Sequence, residues 1–202
     1  MLAASGGYPV MMSLGARSDA LSSVGSSAHD LALAALIGGN LFGRVAMHPA
    51  LTEVSDKAER GKVLNRAWGR YGTVNSLALG TLVAGWLPTR LNERRPRRFS
   101  RGSGRLAPAN DVAMGAVVIT GLASAAAGVG FSQQVPGGAV PMSSGHDPAP
   151  ETPARAARMK RVINALSAAN LAAGVALVVV NSSLAQASFR GQSMRRVLSR
   201  RR

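Results

Sequence analysis

The chain has 202 residues, and its 24 Lys and Arg against 9 Asp and Glu give a formal net charge of +15. It contains no cysteine, which excludes disulfide frameworks, thiolate catalysis and cysteine-ligated zinc or iron–sulfur sites. A charge of this size is typical of proteins that bind nucleic acid or the anionic face of a membrane. The apolar and basic residues lie in separate blocks along the chain, and that separation favours a membrane protein.

Four apolar runs approach the length of about 20 residues that crosses a bilayer as a helix. The first carries Asp30 and Arg44 near its edges, the second has aromatic residues toward both ends, and the third is rich in Ala, Gly and Ser. A soluble four-helix bundle would show a broad charged face at a period near 3.6 residues, which these runs lack. The sequence therefore predicts an all-α, integral membrane four-helix bundle with helices at about 28–48, 71–89, 112–131 and 162–185.

The remaining segments are predicted to flank or connect these helices, within a membrane domain that spans 28–189. Residues 1–27, with glycine, proline and clustered serines, are expected to form a flexible N-terminal tail. Their one basic residue, Arg17, follows the weak apolar stretch, so we expect no cleaved signal peptide. A basic loop is expected at 90–111 and a basic C-terminal tail at 190–202.

The connection between the first two runs predicts a short amphipathic helix. Ser55 is placed to cap it, and Asp56 and Glu59 fall in the first turn, near the positive end of the helix dipole. Basic residues follow in the later turns, namely Lys62, Arg66 and Arg70. We therefore expect an interfacial amphipathic helix that leads into the second run.

The distribution of basic residues predicts the orientation in the membrane. With four crossings, both tails and the second loop share one side and hold 14 basic residues, whereas the first and third loops hold 9. The positive-inside rule then favours a multi-pass protein of the cell membrane with cytoplasmic N- and C-termini. Arginine outnumbers lysine 21 to 3, which together with abundant alanine and glycine is typical of a high-G+C bacterial genome.

The second loop and the C-terminal tail form two basic patches on the predicted cytoplasmic face. Either they bind anionic lipid headgroups, at about 1 kcal/mol per basic residue, or they serve only to fix the topology. Nucleic acid is not an expected partner, because stacking aromatics should be interleaved with the basic residues and Phe99 is the only aromatic in either patch. The candidate headgroup ligands are Arg94, Arg95, Arg97, Arg98, Arg195, Arg196 and Arg200.

A candidate site lies at the extracytoplasmic end of the predicted bundle. Asn40, Arg44 and His48 are spaced i, i+4 and i+8, so they share one face of the first helix. Pro49 then ends that helix, and Glu53 is a candidate counter-ion for Arg44. Either the cluster packs helices and lets arginine reach the interface, or it binds a ligand, with His48 as acid or base and Arg44 as anion binder. The same layer is expected to hold Arg66, Arg70, Asn75 and Asn164.

A thinner polar group is expected at the cytoplasmic end, made of His29, Asp30, Asp111 and Asn181. Asn181 also shares one face of the fourth run with Asn170 and Gly174. That spacing favours a side that faces the other helices rather than a proton relay.

No metal or cofactor is predicted. Haem held by two histidines needs both at one depth on facing helices, but His29 and His48 lie at opposite ends of one helix, and His146 lies in a Pro- and Gly-rich loop. The chain also has no HExxH motif and no Gly-Lys-Ser/Thr loop that would cradle a phosphate.

The segment Leu41–Leu51 (LFGRVAMHPAL), followed by a charged linker and a second apolar run, resembles the small four-helix membrane proteins of the anthrone-oxygenase-like superfamily. The resemblance covers roughly residues 30 to 90 and depends mainly on the His-Pro pair. It implies a four-helix integral membrane fold and, by analogy with the few members of assigned activity, cofactor-independent oxidation of a polyphenolic substrate. His48 is the residue that the resemblance carries across.

Three functions from different classes remain open. A non-catalytic accessory or scaffold protein comes first, because packing and charge account for most of the chain. A membrane enzyme that acts on a lipophilic substrate around His48 is second. A transporter or channel subunit is third, although it needs polar residues through the midplane and the second and third runs are apolar there. The expected partners are the lipid bilayer, anionic headgroups and other membrane proteins or a second copy of the chain.

Overall fold

The computed structural model describes residues 8–92 and 106–199, and within these ranges it is all helical, as the sequence predicts. A π-helical turn (Gly43–Met47), the short helix α2 (His48–Ala50) and a 3-10 turn (Leu51–Glu53) extend the first long helix without a break. A second 3-10 turn (Pro136–Gly138) lies between the last two long helices. The long helices are α1 (Tyr8–Phe42), α3 (Lys57–Asn92), α4 (Leu106–Ser132) and α5 (Ala154–Ser199).

Among the described residues, three helical stretches are long and apolar enough to cross a membrane. They are Val24–Glu53, Leu106–Ser132 and Ala154–Gln186. The predicted second crossing lies in α3 and is not among them, because the run 71–89 carries an asparagine, three threonines and three glycines among its apolar residues.

One apolar core is shared by all four long helices. Leu33 and Leu36 of α1 pack with side chains of α3, α4 and α5. The largest of these partners are Leu79, Leu82, Met114, Val117 and Leu177. The second half of α3 therefore lies beside the other three helices, at the same level along their length.

A second core covers one end of the helices. Here the connection between α4 and α5, residues 133–153, folds back over the start of α3 and buries Val140 and Met142 completely. The amide of Met142 donates to the carbonyl of Lys57 at 2.9 Å, and a Cβ on Gly61 would overlap the carbonyl oxygen of Val140. The other members of this core are Leu51, Leu64, Phe131 and Ala156. We call residues 133–153 the cap.

The cap and the first connection thus meet at the same end of the helices. Arg60 of α3 donates hydrogen bonds to the carbonyls of Val54, Thr52 (3.1 Å) and Ser143 (2.6 Å), so one guanidinium ties both connections together. An exposed ion pair between Lys57 and Glu151 (3.1 Å) adds a further link.

The interfacial helix differs from the prediction. Residues 57–70 are the first part of α3 and run straight into the second apolar run, because no proline interrupts the helix before Pro88. The cap position also differs by one residue: the Asp56 carboxylate, not Ser55, accepts the amide of Glu59 at 2.7 Å.

The predicted tails differ as well. α1 begins at Tyr8 rather than near residue 28, so only residues 1–7 of the expected flexible tail lie outside the described part of the chain. α5 continues to Ser199 through most of the expected C-terminal tail. Of the predicted basic loop, 93–105 lies outside the described residues.

Candidate functional site

The predicted face of the first helix forms a polar seam with α5. The amide nitrogen of Asn40 donates to the carbonyl of Ser167 at 2.9 Å, and the Ser167 hydroxyl donates to Asn40 Oδ1 at 3.0 Å. One turn along, Arg44 Nη2 donates to the carbonyl of Asn164 at 2.9 Å, while its Nε donates to Asn40 Oδ1 at 3.2 Å. The two helices run antiparallel, so increasing residue numbers along the first helix face decreasing residue numbers along α5. We call this interface the α1–α5 seam.

His48 lies at the capped end of this seam and is 5% exposed. The indole Nε1–H of Trp68 lies 3.2 Å from His48 Nε2, and His48 Nδ1 lies 3.2 Å from Nε2 of His146. An indole nitrogen is only a donor, so His48 Nε2 accepts from Trp68. His48 Nδ1 also lies 3.4 Å from Nδ1 of His146, and the two imidazole rings are nearly perpendicular. The three rings therefore form one contact chain, from Trp68 through His48 to His146.

A π-helical turn places His48 in this position. The amide of His48 donates to the carbonyl of Gly43, five residues earlier, which widens the helix just before Pro49. Proline cannot donate to the helix ladder and crowds the preceding turn, and the wider turn accommodates it. The helix therefore passes through Pro49 and ends at Glu53, rather than stopping at Pro49 as predicted. Such π turns occur often at functional sites.

Two glycines of α1 and its π turn admit aromatic rings of α3 next to the seam. A Cβ on Gly43 would lie 2.5 Å from the Trp68 ring, and one on Gly39 would overlap the ring of Tyr71. The Tyr71 hydroxyl donates to the carbonyl of Ala35 at 2.7 Å. The two glycines of the Gly39-x-x-x-Gly43 pattern therefore let aromatic rings of α3 pack directly against the helix backbone. Gly43 in particular sets the position of the Trp68 indole, which donates to His48.

The cap brings His146 to the seam through a tight turn. The amide of Gly145 donates to the carbonyl of His48 at 3.2 Å, and a Cβ on Gly145 would overlap His48. The Ser144 hydroxyl donates to the Asp147 carboxylate at 2.9 Å and accepts the amides of His146 and Asp147. Asn164 donates to the carbonyl of His146 at 2.9 Å, which joins the turn to α5.

Lys160 completes the capped end. It lies on α5 one turn before Asn164, and it is 3% exposed. Asp147, Arg44 and His48 are within its electrostatic range. No hydrogen bond from its ammonium group reaches any residue in the described part of the chain.

Of the predicted cluster, the structure brings together Asn40, Arg44, His48 and Asn164. Glu53 is exposed, and Arg44 bonds to Asn40 and Asn164 rather than to this expected counter-ion. Arg66 and Arg70 are exposed on α3, and Asn75 is half-buried and takes no part in the hydrogen bonds of the seam.

Sequence reasoning missed three members of the site, namely Trp68, His146 and Lys160. A signal for Lys160 was available, because Lys160, Asn164 and Ser167 recur at i, i+4 and i+7 and mark a polar face of α5. His146 reaches the site only through the fold of the cap, which no helical periodicity reveals.

Polar contacts also occur among the described residues of the opposite end. Asn181 lies 3.2 Å from His29 Nε2 and accepts from Asn110, while Trp86 Nε1 donates to Asp111 at 3.0 Å. Asp30 is exposed. On the same face of α5, Asn170 donates to the carbonyl of Val117 at 2.8 Å, and a Cβ on Gly174 would meet Ile37 at 3.0 Å. The face that carries Asn170, Gly174 and Asn181 therefore packs against the other helices.

The side chains of the candidate headgroup ligands are not described in the structure. Arg94, Arg95, Arg97, Arg98 and Arg200 lie outside the described residues, and Arg195 and Arg196 belong to the α5 backbone with side chains that are not described. Across residues 8–92 and 106–199, no group of three or more His, Asp or Glu side chains is placed to hold a metal ion.

No protein-family model, curated protein or solved structure matches the chain.

Proposed function

We propose that this protein is a multi-pass membrane protein whose four long helices all cross the bilayer, and that it acts as a non-catalytic accessory or scaffold protein. The observation that carries the proposal is the outer surface. Each long helix turns large apolar side chains outward, among them Leu31, Leu77, Ile119 and Val179. Apolar surface spread over every helix is unfavourable in water and is suited to lipid.

α3 is included as a crossing although its hydropathy is lower than that of the other three. Its second half shares the common core through Leu79 and Leu82. On its outer side it exposes Val74, Leu77 and Leu87, at spacings that keep them on one side of the helix. Because the second half of α3 packs against helices that we place in the bilayer, we place it in the bilayer with them.

The orientation follows from the charge distribution. The capped end carries 9 basic residues in the first and third connections, against 14 in the tails and second loop. We therefore place the capped end outside and both termini in the cytoplasm, in the cell membrane of a bacterium. The cytoplasmic arginines then lie where anionic headgroups are most abundant.

A non-catalytic role is supported by how the seam is closed. The side-chain hydrogen bonds of Asn40, Arg44 and Ser167 run within the seam, and Asn164 donates to the carbonyl of His146. Both ring nitrogens of His48 are engaged. A polar network satisfied in this way fixes the packing of helices and gives a single arrangement. Other membrane proteins or a second copy of the chain are the expected partners.

Cysteine labelling tests the proposed crossings, since the chain has no cysteine of its own. Ser55→Cys and Ala154→Cys lie at the capped end and are exposed, so a membrane-impermeant maleimide should label both in intact cells. Ser103→Cys, beyond α3, should be labelled only after permeabilisation. Labelling of all three from outside would contradict the crossing of α3.

The scaffold role is tested by separating stability from cellular function. If the seam only holds helices, His48→Ala and Arg44→Ala should lower the unfolding temperature in detergent and reduce the cellular phenotype in proportion to lost protein. Variants that remain folded and abundant but lack the phenotype would argue against a scaffold.

A second candidate is a membrane enzyme that acts on a lipophilic or aromatic substrate. The observation that favours it is the contact chain from Trp68 through the buried His48 to His146, since paired imidazoles can provide both a proton donor and an acceptor. The resemblance of Leu41–Leu51 to anthrone-oxygenase-like proteins points the same way. Loss of an added anthrone in the presence of wild-type protein in nanodiscs, but not of folded His48→Gln, would support it. Equal rates would contradict it.

A further inference from the structure

An open apolar groove follows the outer side of α4 and α5 at the end opposite the cap. Its volume is about 600 Å³, and each residue that lines it is an alanine, a valine or a proline. The alanines come from both helices, so two rows of short side chains leave the space open. They are Ala109, Ala113 and Ala116 of α4, and Ala172, Ala173 and Ala176 of α5.

The groove begins near the end of the helices and extends toward their middle. On α4 it starts at Pro108, close to the first residue of the helix, and reaches Ala116, which lies about 12 Å further along. On α5 it runs from Val180 back to Ala172, over the same length. In the membrane arrangement that we propose above, on which this inference rests, the groove opens to lipid in the cytoplasmic half of the bilayer.

The sequence at this end of α4 and α5 is strongly basic. The segment 90–105, directly before α4, includes seven arginines and one acidic residue. α5 continues beyond the groove, and residues 190–202 add six arginines. No acidic residue follows Glu151 in the chain. Asp111 lies on α4 near the groove, but it accepts from Trp86 and so faces α3.

Charge distinguishes between two occupants that fit an apolar groove in a bilayer. A second copy of the chain enters the same membrane in the same orientation, so its docking here would bring a second set of these arginines next to the first. An anionic lipid instead places a negative headgroup at the basic end, where it is attracted. Charge complementarity therefore favours a lipid over a second copy.

We propose that the groove between α4 and α5 binds one acyl chain of an anionic phospholipid, whose headgroup lies at the basic end of the two helices. The apolar lining gives van der Waals contact along the acyl chain, and the short alanine side chains leave room for it. Neighbouring lipids offer similar apolar contact, so the groove fixes the position of the acyl chain while the arginines select the headgroup. The proposed scaffold then has a defined lipid partner.

The test uses the full-length chain, purified in a neutral maltoside detergent. Dioleoyl phosphatidylglycerol and dioleoyl phosphatidylcholine, which share their acyl chains and differ in headgroup charge, are titrated separately in mixed micelles. Native mass spectrometry counts the lipids bound per chain, and the unfolding temperature gives a second reading. The test variant is Ala176→Leu, which fills the groove. The matched control is Ala168→Leu, at an exposed alanine of α5 that does not line the groove.

We expect one phosphatidylglycerol to bind each chain of the wild type and of Ala168→Leu, and to raise the unfolding temperature of both. Phosphatidylcholine should bind the wild type about tenfold more weakly, because its headgroup has no net negative charge. Ala176→Leu should weaken phosphatidylglycerol binding about tenfold, since leucine occupies the path of the acyl chain. Ala109→Leu, on the α4 wall, should have the same effect and serves as the test variant if Ala176→Leu does not fold.

Three results would overturn the proposal. They are the absence of saturable phosphatidylglycerol binding to the wild type, equal affinities for the two lipids, and binding to the folded groove variants as tight as to Ala168→Leu. Dimers without bound lipid that Ala176→Leu separates would also overturn it, in favour of a second copy in the groove.

The lipid site and the proposed crossings can fail separately. Binding in micelles does not depend on orientation in a membrane, whereas the cysteine labelling described above tests the crossings alone. The expected labelling without lipid binding would reject the lipid site and keep the crossings.

Discussion

The two ends of the helices differ in how their polar groups are organised. At the capped end, α1, α3, α5 and the cap all contribute to one connected network around His48. Among the residues described at the opposite end, His29 and Asn110 meet at Asn181, and Trp86 donates to Asp111. The difference is that an apolar core under the cap surrounds the first network. A buried network becomes specific when it is both connected and covered.

The largest expected effect tests whether the cap creates this difference. A Cβ on Gly61 would overlap the backbone carbonyl of Val140, which cannot move without lifting the cap. We expect Gly61→Ala to lower the free energy of unfolding by about 3 kcal/mol. Chemical denaturation in detergent measures it.

Gly69→Ala is the matched control on the same helix, because nothing lies within 4 Å of the added carbon. It should be neutral or stabilise α3 by up to about 1 kcal/mol. Equal effects of the two substitutions would show that the cap is not tightly seated on α3.

A smaller effect compares the two ends directly through their histidines. His48→Ala removes the acceptor of the Trp68 indole and the imidazole partner of His146 at a buried position, so we expect a loss of about 2 kcal/mol. His29→Ala removes one hydrogen bond from a half-buried ring and should lose about 1 kcal/mol or less. Chemical denaturation of both variants under identical conditions gives their free energies of unfolding. An equal loss in the two variants would show that the two ends do not differ in this way.

The position of the Trp68 ring gives a third test. Gly43→Ala would push a methyl group against this ring, at 2.5 Å before relaxation, and should weaken its hydrogen bond to His48. The expected loss is about 1 kcal/mol, with a shift in Trp68 fluorescence in a Trp86→Phe background. Gly38→Ala, with nothing within 4 Å, should leave the Trp68 fluorescence unchanged and be neutral or slightly stabilising.

The smallest effect concerns the ion pair on the outside of the cap. A hydrogen bond from the backbone at Glu151 lowers the pKa of the Glu151 carboxyl below its usual value, and the hydrogen bond from Lys57 lowers it further. A carboxyl whose pKa is lowered on folding stabilises the fold at pH values above its usual range, and the contribution is lost as pH falls through the lowered value.

Wild type should therefore exceed Glu151→Gln slightly in unfolding temperature near pH 7. The difference should disappear as the pH falls below about 4.5, the usual pKa of glutamate. Glu53→Gln is the control, because this exposed residue forms none of the described ion pairs. A difference that stays constant with pH would show that the Lys57–Glu151 pair does not act through charge.

The sequence predicts the helices from the length of their apolar runs, and one face of the site from its helical spacing. Asn40, Arg44 and His48 recur at helical spacing, and their common face follows from that spacing alone. The prediction of Glu53 as a counter-ion depends only on its nearness in sequence. The 3-10 turn Leu51–Glu53 leaves it exposed, while Arg44 finds carbonyl and amide oxygens instead.

The rest of the site depends on tertiary structure. His146 reaches His48 through a turn held by Ser144 and Gly145, and such contacts leave no pattern in one sequence. The same limit applies to Trp68, whose place is set by the absence of a side chain at Gly43. The hydropathy of α3 also gives no sign that its second half shares the common core.

The order of the polar pairs along the α1–α5 seam also limits how these helices can slide past each other. A shift of α5 by one turn, about 5.4 Å, would place Lys160 opposite Arg44 and two cations would face each other. In the observed register Arg44 instead meets the carbonyl of Asn164. Repulsion between Arg44 and Lys160 therefore disfavours the nearest alternative register in this direction. Apolar side chains alone would let the two helices slide at little cost, so the repulsion between these two cations helps to fix the position of α5 along α1.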